Sequence, residues 1–299
     1  MTKILFHLAT DEKFIDPAIE LFETVAPGKN TFGIHLAAGN SKPAFVKTME
    51  RVTCFEGDAG SLELLMADLP KYDAVILHCL DDFAIRLTAI APKSTRFLWL
   101  SWGFDIYNPF PIFQSMLFQP ETKAILDKMY SRGLRAGIKD AIKSELFRLG
   151  IPFSRAVTGN LRAIRRIQAC ATVLPDEWPI VRRLGFRGEF FRFNYGWLER
   201  LLPAGNPSAR AVGPNILVGN SSTPACNHVE MFQLLAGLDL GDRKIITPLS
   251  YGDTTYKQYV LRHGRKLLGA AFSPIEQFMP IADYTKLLES CGTVILNHH

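Results

Sequence analysis

A polar turn directly after a short apolar run is the clearest candidate for chemistry in this sequence. Ile216–Val218 read as a buried strand, which ends abruptly in Gly219-Asn220-Ser221-Ser222, and a helix-like pattern begins near Asn227. In open α/β sheets, ligands bind where strands end and helices begin. The free backbone N–H groups of a helix start suit an anion such as a diphosphate. The alternative is an ordinary strand-to-helix turn that is capped by Asn227.

Three further residues could act as a base or orient a hydroxyl. Asp105 follows the predicted strand 96–102, and Asp11 follows the predicted strand 3–8, which also contains His7. Carboxylates and imidazoles at strand ends commonly supply acid and base groups in α/β enzymes. Structural alternatives stand beside these roles, because Asp105 could cap a turn and a strand histidine such as His7 is often a core residue.

Length and composition limit the classes of protein to consider. The 299 residues are 47% hydrophobic, which suits two domains with substantial cores. We expect neither a membrane-spanning helix nor a signal peptide, because no long apolar run occurs and the N-terminus enters a strand pattern directly. The five cysteines lack Cys-x-x-Cys spacing, so we predict reduced thiols in a cytoplasmic protein without a metal site.

Positive charge is concentrated in the middle of the chain. Residues 123–192 contain 15 Lys/Arg and 6 Asp/Glu, although the whole chain carries only +5. Aromatic and methionine residues lie among the basic ones in 109–150. Such helices can lie on an anionic membrane surface, although a solvated helix face is the alternative. We expect no nucleic-acid partner, because no nucleic-acid module is visible.

Alternating strand and helix patterns predict the organisation of the chain. They indicate parallel sheets with helices on both faces, and the pattern restarts after a segment rich in Pro and Gly. We therefore predict an N-terminal domain over 1–203, a linker over 204–214 and a C-terminal domain over 215–299. Because the chain ends on a predicted strand without a covering helix, we expect the C-terminal domain to be incomplete.

Several motifs together resemble a known family. Residues 97–107 (FLWLSWGFDIY) are similar to the Trp-x-x-Trp-Gly-x-Asp-Leu/Ile-Tyr signature of glycosyltransferase family 56, the bacterial 4-acetamido-4,6-dideoxygalactose (N-acetylfucosaminyl) transferases. Residues 216–221 with Asn227-His228, residues 248–252 and the pattern from Pro280 to Cys291 also resemble that family. Leu100 stands where the signature has His.

The resemblance implies a fold and an activity. The fold is GT-B, in which two Rossmann-like, doubly wound domains face each other across a cleft. The activity is transfer of an N-acetylfucosamine-like sugar from a dTDP-sugar to an undecaprenyl-diphosphate-linked saccharide during surface polysaccharide assembly. The N-terminal domain would then face the acceptor and the membrane, and the C-terminal domain would bind the nucleotide sugar. Such an enzyme is peripheral at the cytoplasmic side of the inner membrane and needs neither cofactor nor metal.

Site residues follow from this interpretation. Contacts to the donor and its diphosphate are assigned to Gly219, Asn220, Ser221, Ser222, Tyr251 and His228. Base or acceptor-orienting roles are assigned to Asp105, Asp11 and His7. Two alternatives remain open, namely a GT-B enzyme that uses a UDP- or GDP-sugar and a non-catalytic transferase-like scaffold in polysaccharide assembly.

Overall fold

A computed structural model of the chain describes residues 3–37, 39–130, 134–196 and 213–297. The chain divides into two units, one comprising 1–110 and 146–200, the other 111–145 and 201–299. Each unit has its own parallel sheet. The predicted α/β class with two Rossmann-like domains is therefore confirmed.

The sheet of the first unit has the strand order of a doubly wound fold. Within the described residues it has seven parallel strands in the order β3-β2-β1-β4-β5-β6-β7. The strands are β1 (Leu5–Thr10), β2 (Asn30–Leu36), β3 (Val52–Glu56), β4 (Ala74–Leu77), β5 (Phe97–Leu100), β6 (Ala169–Ala171) and β7 (Glu189–Phe190). The strand order reverses between β1 and β4, and such a reversal opens a crevice at the carboxyl ends of the strands.

The sheet of the second unit is smaller and follows the same logic. Its described strands are β8 (Asn215–Val218), β9 (Ile245–Pro248), β10 (Phe272–Ile275) and β11 (Cys291–Ile295), all parallel, in the order β10-β9-β8-β11. Here the reversal lies between β8 and β11. The helix before β10 continues to Leu268, and the strand itself begins at Phe272.

Helices connect the strands. They are α1 (Ile15–Val25), α2 (Ala59–Asp68), α3 (Asp82–Ile90), α4 (Phe104–Tyr107), α5 (Pro111–Gln114), α6 (Pro120–Met129), α7 (Leu134–Arg148), α8 (Arg155–Arg166), α9 (Trp178–Arg183), α10 (His228–Ala236), α11 (Thr254–Leu268) and α12 (Ile281–Glu289). Four of these helices have an N-cap whose side chain accepts a hydrogen bond from the backbone N–H three residues later. The caps are Asp58, Asp81, Ser154 and Asp253. Among the described residues, no helix is both long and apolar enough to cross a bilayer.

The segment that includes α6 differs from the predicted domain boundary. Leu126 of α6 is buried in the core of the second unit, in a cluster with Phe232, Tyr256 and Val260. Both the backbone N–H and the hydroxyl of Thr122 donate to the carboxylate of Glu230, over 2.8 and 2.7 Å. Residues 111–145 therefore belong to the second unit, although we predict them within the N-terminal domain 1–203.

The predicted linker and C-terminal domain lie partly outside the residues that the structure describes. The predicted linker, 204–214, lies outside the described residues except for its last two positions. The predicted C-terminal domain, 215–299, is described up to residue 297 and contains all four strands of the second sheet. Its interpretation as incomplete stays a prediction.

Candidate functional site

The turn after β8 requires glycine at its first position. Gly219 has a φ of +70°, and its N–H donates to the carbonyl of Ile295 on β11 over 2.9 Å. A Cβ on residue 219 would lie 2.6 Å from Nε2 of His228. Both the left-handed backbone and the close approach of the imidazole exclude a side chain here. The turn therefore begins at the reversal between β8 and β11, where the topology favours a ligand.

A second turn, after β9, is joined to the first. The backbone N–H and the hydroxyl of Ser222 both donate to the carbonyl of Tyr251, over 2.7 and 2.9 Å. Gly252 continues this contact through a parallel bridge with Ser222. We call residues 219–223 and 250–253 the paired turn. It brings together five of the residues predicted to contact the donor: Gly219, Asn220, Ser221, Ser222 and Tyr251.

The polar groups of the paired turn fall into two sets. Ser222 is buried and both of its donors are used by Tyr251, so it holds the two turns together and cannot also donate to a phosphate. The hydroxyl of Ser221 donates to Thr223 Oγ1 over 2.9 Å. Asn220 is exposed at the tip of the turn. Asn220 and Thr223 are therefore the side chains best placed to bind an anion.

The start of α10 differs from the predicted anion site. A 3₁₀ turn, Pro224–Cys226, separates the paired turn from α10, and His228 at the first helical position is fully buried. The carboxylate of Glu230, in the first turn of α10, already accepts two hydrogen bonds from Thr122. The helix start is thus covered by α6 and carries a negative charge of its own. His228 contacts Gly219 from inside the unit, and its assignment as a donor contact stays a prediction.

Asn227 has a different role from the helix cap that the sequence suggests. It is buried with a φ of +45°, and its side chain makes no capping hydrogen bond to α10. Instead, Oδ1 accepts from the N–H of Gln119 over 2.9 Å, and Nδ2 donates to the carbonyls of Leu117 and Asn297 over 3.0 and 3.1 Å. Asn227 therefore links the start of α6 to the end of β11.

Asp105 is a structural carboxylate in the first unit. It is almost completely buried, Oδ2 accepts from Trp99 Nε1 and the N–H of Leu80, and Oδ1 accepts from the N–H of Trp102, at 2.7, 3.0 and 3.0 Å. Burial raises its pKa to about 6, against the opposing effect of these donors. With both oxygens occupied, Asp105 fastens the ends of β4 and β5 together. This geometry gives Asp105 a structural role, and its predicted role as a base stays a prediction.

Asp11 and His7 are also engaged inside the first unit. The carboxylate of Asp11 accepts hydrogen bonds from three consecutive backbone N–H groups, those of residues 44–46, and so anchors the loop between β2 and β3. His7 is fully buried between His78 and Asn30, at 3.0 and 3.1 Å. Burial lowers the pKa of His7 to about 3, so it is neutral. His7 has no exposure to solvent, whereas Asp11 is partly exposed but engaged by these three donors. The predicted roles of both residues as a base stay predictions.

Sequence reasoning missed a histidine–carboxylate pair at the same edge of the sheet. Nδ1 of His35, near the end of β2, lies 3.0 Å from Oδ2 of Asp81, which begins α3, and both side chains are partly exposed. A Cβ on Gly57 would lie 2.1 Å from Nε2 of His35, so a side chain at position 57 would displace the imidazole. The two partners are 46 residues apart in sequence, and no local motif connects them.

Arg166 lies in the basic region of the sequence, but its side chain is not available to a membrane surface. Its guanidinium donates to the carbonyls of Thr88, Ala91 and Pro92, and so caps the end of α3. Arg162 and Arg165 of the same helix are exposed, whereas Arg166 is held within the first unit. Burial lowers the pKa of Arg166, with no effect on its charge near neutrality.

The fold of the whole chain is similar to that of several solved structures. The structure is similar to Anabaena HepE, solved in complex with UDP and glucose, with a TM-score of 0.60 and 13% identity over 98% of this chain and 73% of HepE. It is also similar to a glycosyltransferase from Rickettsia africae, with a TM-score of 0.56 and 10% identity over 100% of this chain and 74% of that one. The fold is therefore a GT-B-like fold with two Rossmann-type domains. No protein-family model matches the sequence, and no curated protein does either.

Proposed function

We propose that this protein is a glycosyltransferase that takes a sugar from a nucleoside diphosphate. The observation that carries the proposal is the paired turn, which collects small and polar residues at the carboxyl ends of two adjacent parallel strands. Glycosyl transfer requires that the negative charge of the leaving diphosphate is stabilised. The amide of Asn220 and the hydroxyl of Thr223 would donate hydrogen bonds to it. The fold shared with HepE and the Rickettsia protein supports the same activity.

The more specific proposal rests on the family resemblance. Under it, the donor is a dTDP-linked, N-acetylfucosamine-like sugar and the acceptor is a saccharide on undecaprenyl diphosphate. A UDP-sugar is the second candidate, because the structure of HepE contains UDP.

A nucleotide panel tests the donor. We expect dTDP to raise the melting temperature of the full chain more than UDP or GDP, because the family that the sequence resembles uses a dTDP-sugar. A ligand at 100 times its Kd adds about 2.7 kcal/mol to the free energy of unfolding. Asn220→Ala should weaken dTDP binding about tenfold or more, through loss of a hydrogen bond to a charged phosphate. Asn108→Ala, an exposed position in the first unit, is the matched control. A larger shift with UDP would favour the second candidate, and no shift with any nucleotide would contradict the proposal.

We also propose that α7 holds the protein at an anionic membrane, on the cytoplasmic side of the inner membrane. Ile138 and Ile142, one helical turn apart, are each more than half exposed, and the exposed Arg135 and Lys139 lie beside them. An apolar stripe flanked by cations is the pattern of an interfacial helix. Basic side chains near the surface add attraction to anionic lipids.

Vesicle binding tests this surface. The full chain should sediment with vesicles that contain phosphatidylglycerol and not with phosphatidylcholine alone. The double variant Ile138→Ser, Ile142→Ser should weaken binding about tenfold or more, because it removes most of the inserted apolar area. Leu234→Ser with Leu238→Ser is a matched control, since these residues have the same spacing and similar exposure but lie beside Asp239. Equal losses in both double variants, or no sedimentation of the wild type, would contradict the membrane role of α7.

A further inference from the structure

A small cavity in the first unit has features of a binding site. None of the residues predicted to contact the donor or the acceptor lines it. It encloses about 50 Å³ at the carboxyl ends of β5 and β6. The lining residues come from three segments: Leu100 and Ser101, Ala171–Val173, and Phe193–Tyr195. A volume of this size admits one hydroxyl group or a molecule of similar size. Its position at strand ends is the usual place for a ligand in a parallel sheet.

Ser101 is the first polar group that points to a ligand. The residue is only 2% exposed, its N–H donates to the carbonyl of Ala171, and its hydroxyl has no hydrogen-bond partner among the residues that the structure describes. A buried hydroxyl without a partner destabilises a protein by about 1–3 kcal/mol. Buried polar groups are nearly always paired, so this hydroxyl calls for a partner from outside the chain.

Tyr195 is the second polar group, and a buried chain of side chains sets its orientation. The amide nitrogen of Asn30 donates to the carbonyls of Phe22 and Ala26 and to the carboxylate of Glu23. Its oxygen must therefore accept from Nε2–H of His7, at 3.1 Å. This contact fixes the tautomer of His7 and leaves Nδ1 as an acceptor.

The direction of the remaining hydrogen bonds follows from that tautomer. Nδ1 of His7 accepts from Nε2–H of His78 over 3.0 Å, and Nδ1 of His78 accepts the phenolic proton of Tyr195 over 2.9 Å. Burial lowers the pKa of both histidines and raises that of Tyr195, so all three stay neutral near pH 7. The only proton of the Tyr195 hydroxyl is thus committed to His78. The Trp102 indole is a neighbouring donor to this oxygen, which leaves one lone pair as an acceptor toward the cavity.

The cavity therefore presents a hydroxyl donor and a phenolic acceptor between walls that are mainly apolar. Thr172 and Asn194 are its other polar lining residues, and the hydroxyl of Thr172 donates to the carbonyl of Leu174. A sugar hydroxyl needs this combination, because it donates one hydrogen bond and accepts others, while its ring carbons contact apolar side chains. None of the lining residues is basic, so a phosphate would find no positive charge here. We propose that this cavity binds one hydroxyl group of the saccharide acceptor, with Ser101 donating to it and Tyr195 accepting from it. The identity of the saccharide as acceptor rests on the proposed function.

Saccharide binding by the full chain tests the site. We expect saturation-transfer NMR signals from free N-acetylglucosamine or N-acetylgalactosamine at millimolar concentration with the wild type. Ser101→Ala and Tyr195→Phe should each weaken binding about fivefold to tenfold, as expected for the loss of one neutral hydrogen bond. Ser94→Ala and Tyr72→Phe in the same unit are matched controls that should bind like the wild type.

Nucleotide affinity, measured on the same variants, separates this inference from the proposed function. Both cavity variants should bind dTDP or UDP as the wild type does, because the paired turn is in the other unit. Saccharide binding that is unchanged in both variants, or absent in the wild type, would overturn the inference even if nucleotides bind. A cavity that holds only water would give variants with altered thermal stability and no change in saccharide binding. Failure to bind any nucleotide would overturn the proposed function instead.

Discussion

Replacing Gly252 by alanine should separate the paired turn and abolish tight nucleotide binding. Gly252 has a φ of +116°, and a Cβ there would lie 2.8 Å from the backbone carbon and the hydroxyl oxygen of Ser222. The strained backbone alone costs about 1–3 kcal/mol. The clash is with backbone, which has little room to move, so we expect a total loss of about 3 kcal/mol or more. Denaturant unfolding and nucleotide titration would measure the two effects.

Gly241→Ala is the control for Gly252→Ala. Gly241 also has a positive φ, +53°, but a Cβ there would meet nothing within 4 Å. Gly241→Ala should therefore lower the free energy of unfolding by only about 1 kcal/mol, the cost of a left-handed backbone at a residue other than glycine. Nucleotide affinity should be unchanged. Hydrogen exchange in residues 219–226 should rise in Gly252→Ala alone. Similar losses of stability in both variants would show that the contact between Ser222 and Gly252 contributes little.

Asp105→Asn should destabilise the first unit, and the effect should depend on pH. An Asn side chain can accept from Trp99 and Leu80 with its oxygen, but its NH₂ group then faces the N–H of Trp102. A buried donor without an acceptor costs about 1–3 kcal/mol. Urea unfolding of both proteins, followed by tryptophan fluorescence, would measure the difference.

The sign of the pH dependence follows from the raised pKa of Asp105. Its value of about 6, against the ordinary value of 3.8 for an aspartate, means that the folded protein binds the proton more tightly than the unfolded chain. The resulting stability is present below pH 4 and is lost as the pH rises through 6. Asp105→Asn lacks this contribution, so its stability deficit should be about 2 kcal/mol larger at pH 4 than at pH 7.

The difference in stability between the wild type and Asp105→Asn excludes the contributions of other titrating groups, because both proteins contain them. The nearby thiols of Cys79 and Cys170 have pKa values raised by burial and by the charge of Asp105, so they do not titrate in this range. A deficit that grows toward pH 7 would mean that the three donors dominate burial and depress the pKa. Loss of catalysis with unchanged stability would restore Asp105 as a candidate base.

Much of the fold could be predicted because it depends on local patterns. Short apolar runs such as Ala74–Leu77 and Ile216–Val218 are buried strands, and their alternation with amphipathic helices indicates parallel sheets. The turn at Gly219 was also visible, since Gly, Asn and Ser after an apolar run mark a tight strand end. These signals lie within a few residues of each other, and the sequence alone was therefore sufficient.

The roles of individual polar residues depended on partners far away in the chain. Asp105 looks like a catalytic carboxylate in its own segment, but Leu80 donates to it from 25 residues away. The chain from Asn30 through His7 and His78 to Tyr195 joins four segments, and α6 meets Glu230 across 108 residues. Whether a polar group is free or occupied depends on three-dimensional packing, which local periodicity does not encode. The sequence by itself determined the strands, the turns and the kind of fold, and only the tertiary structure decided which polar side chains remain available to a ligand.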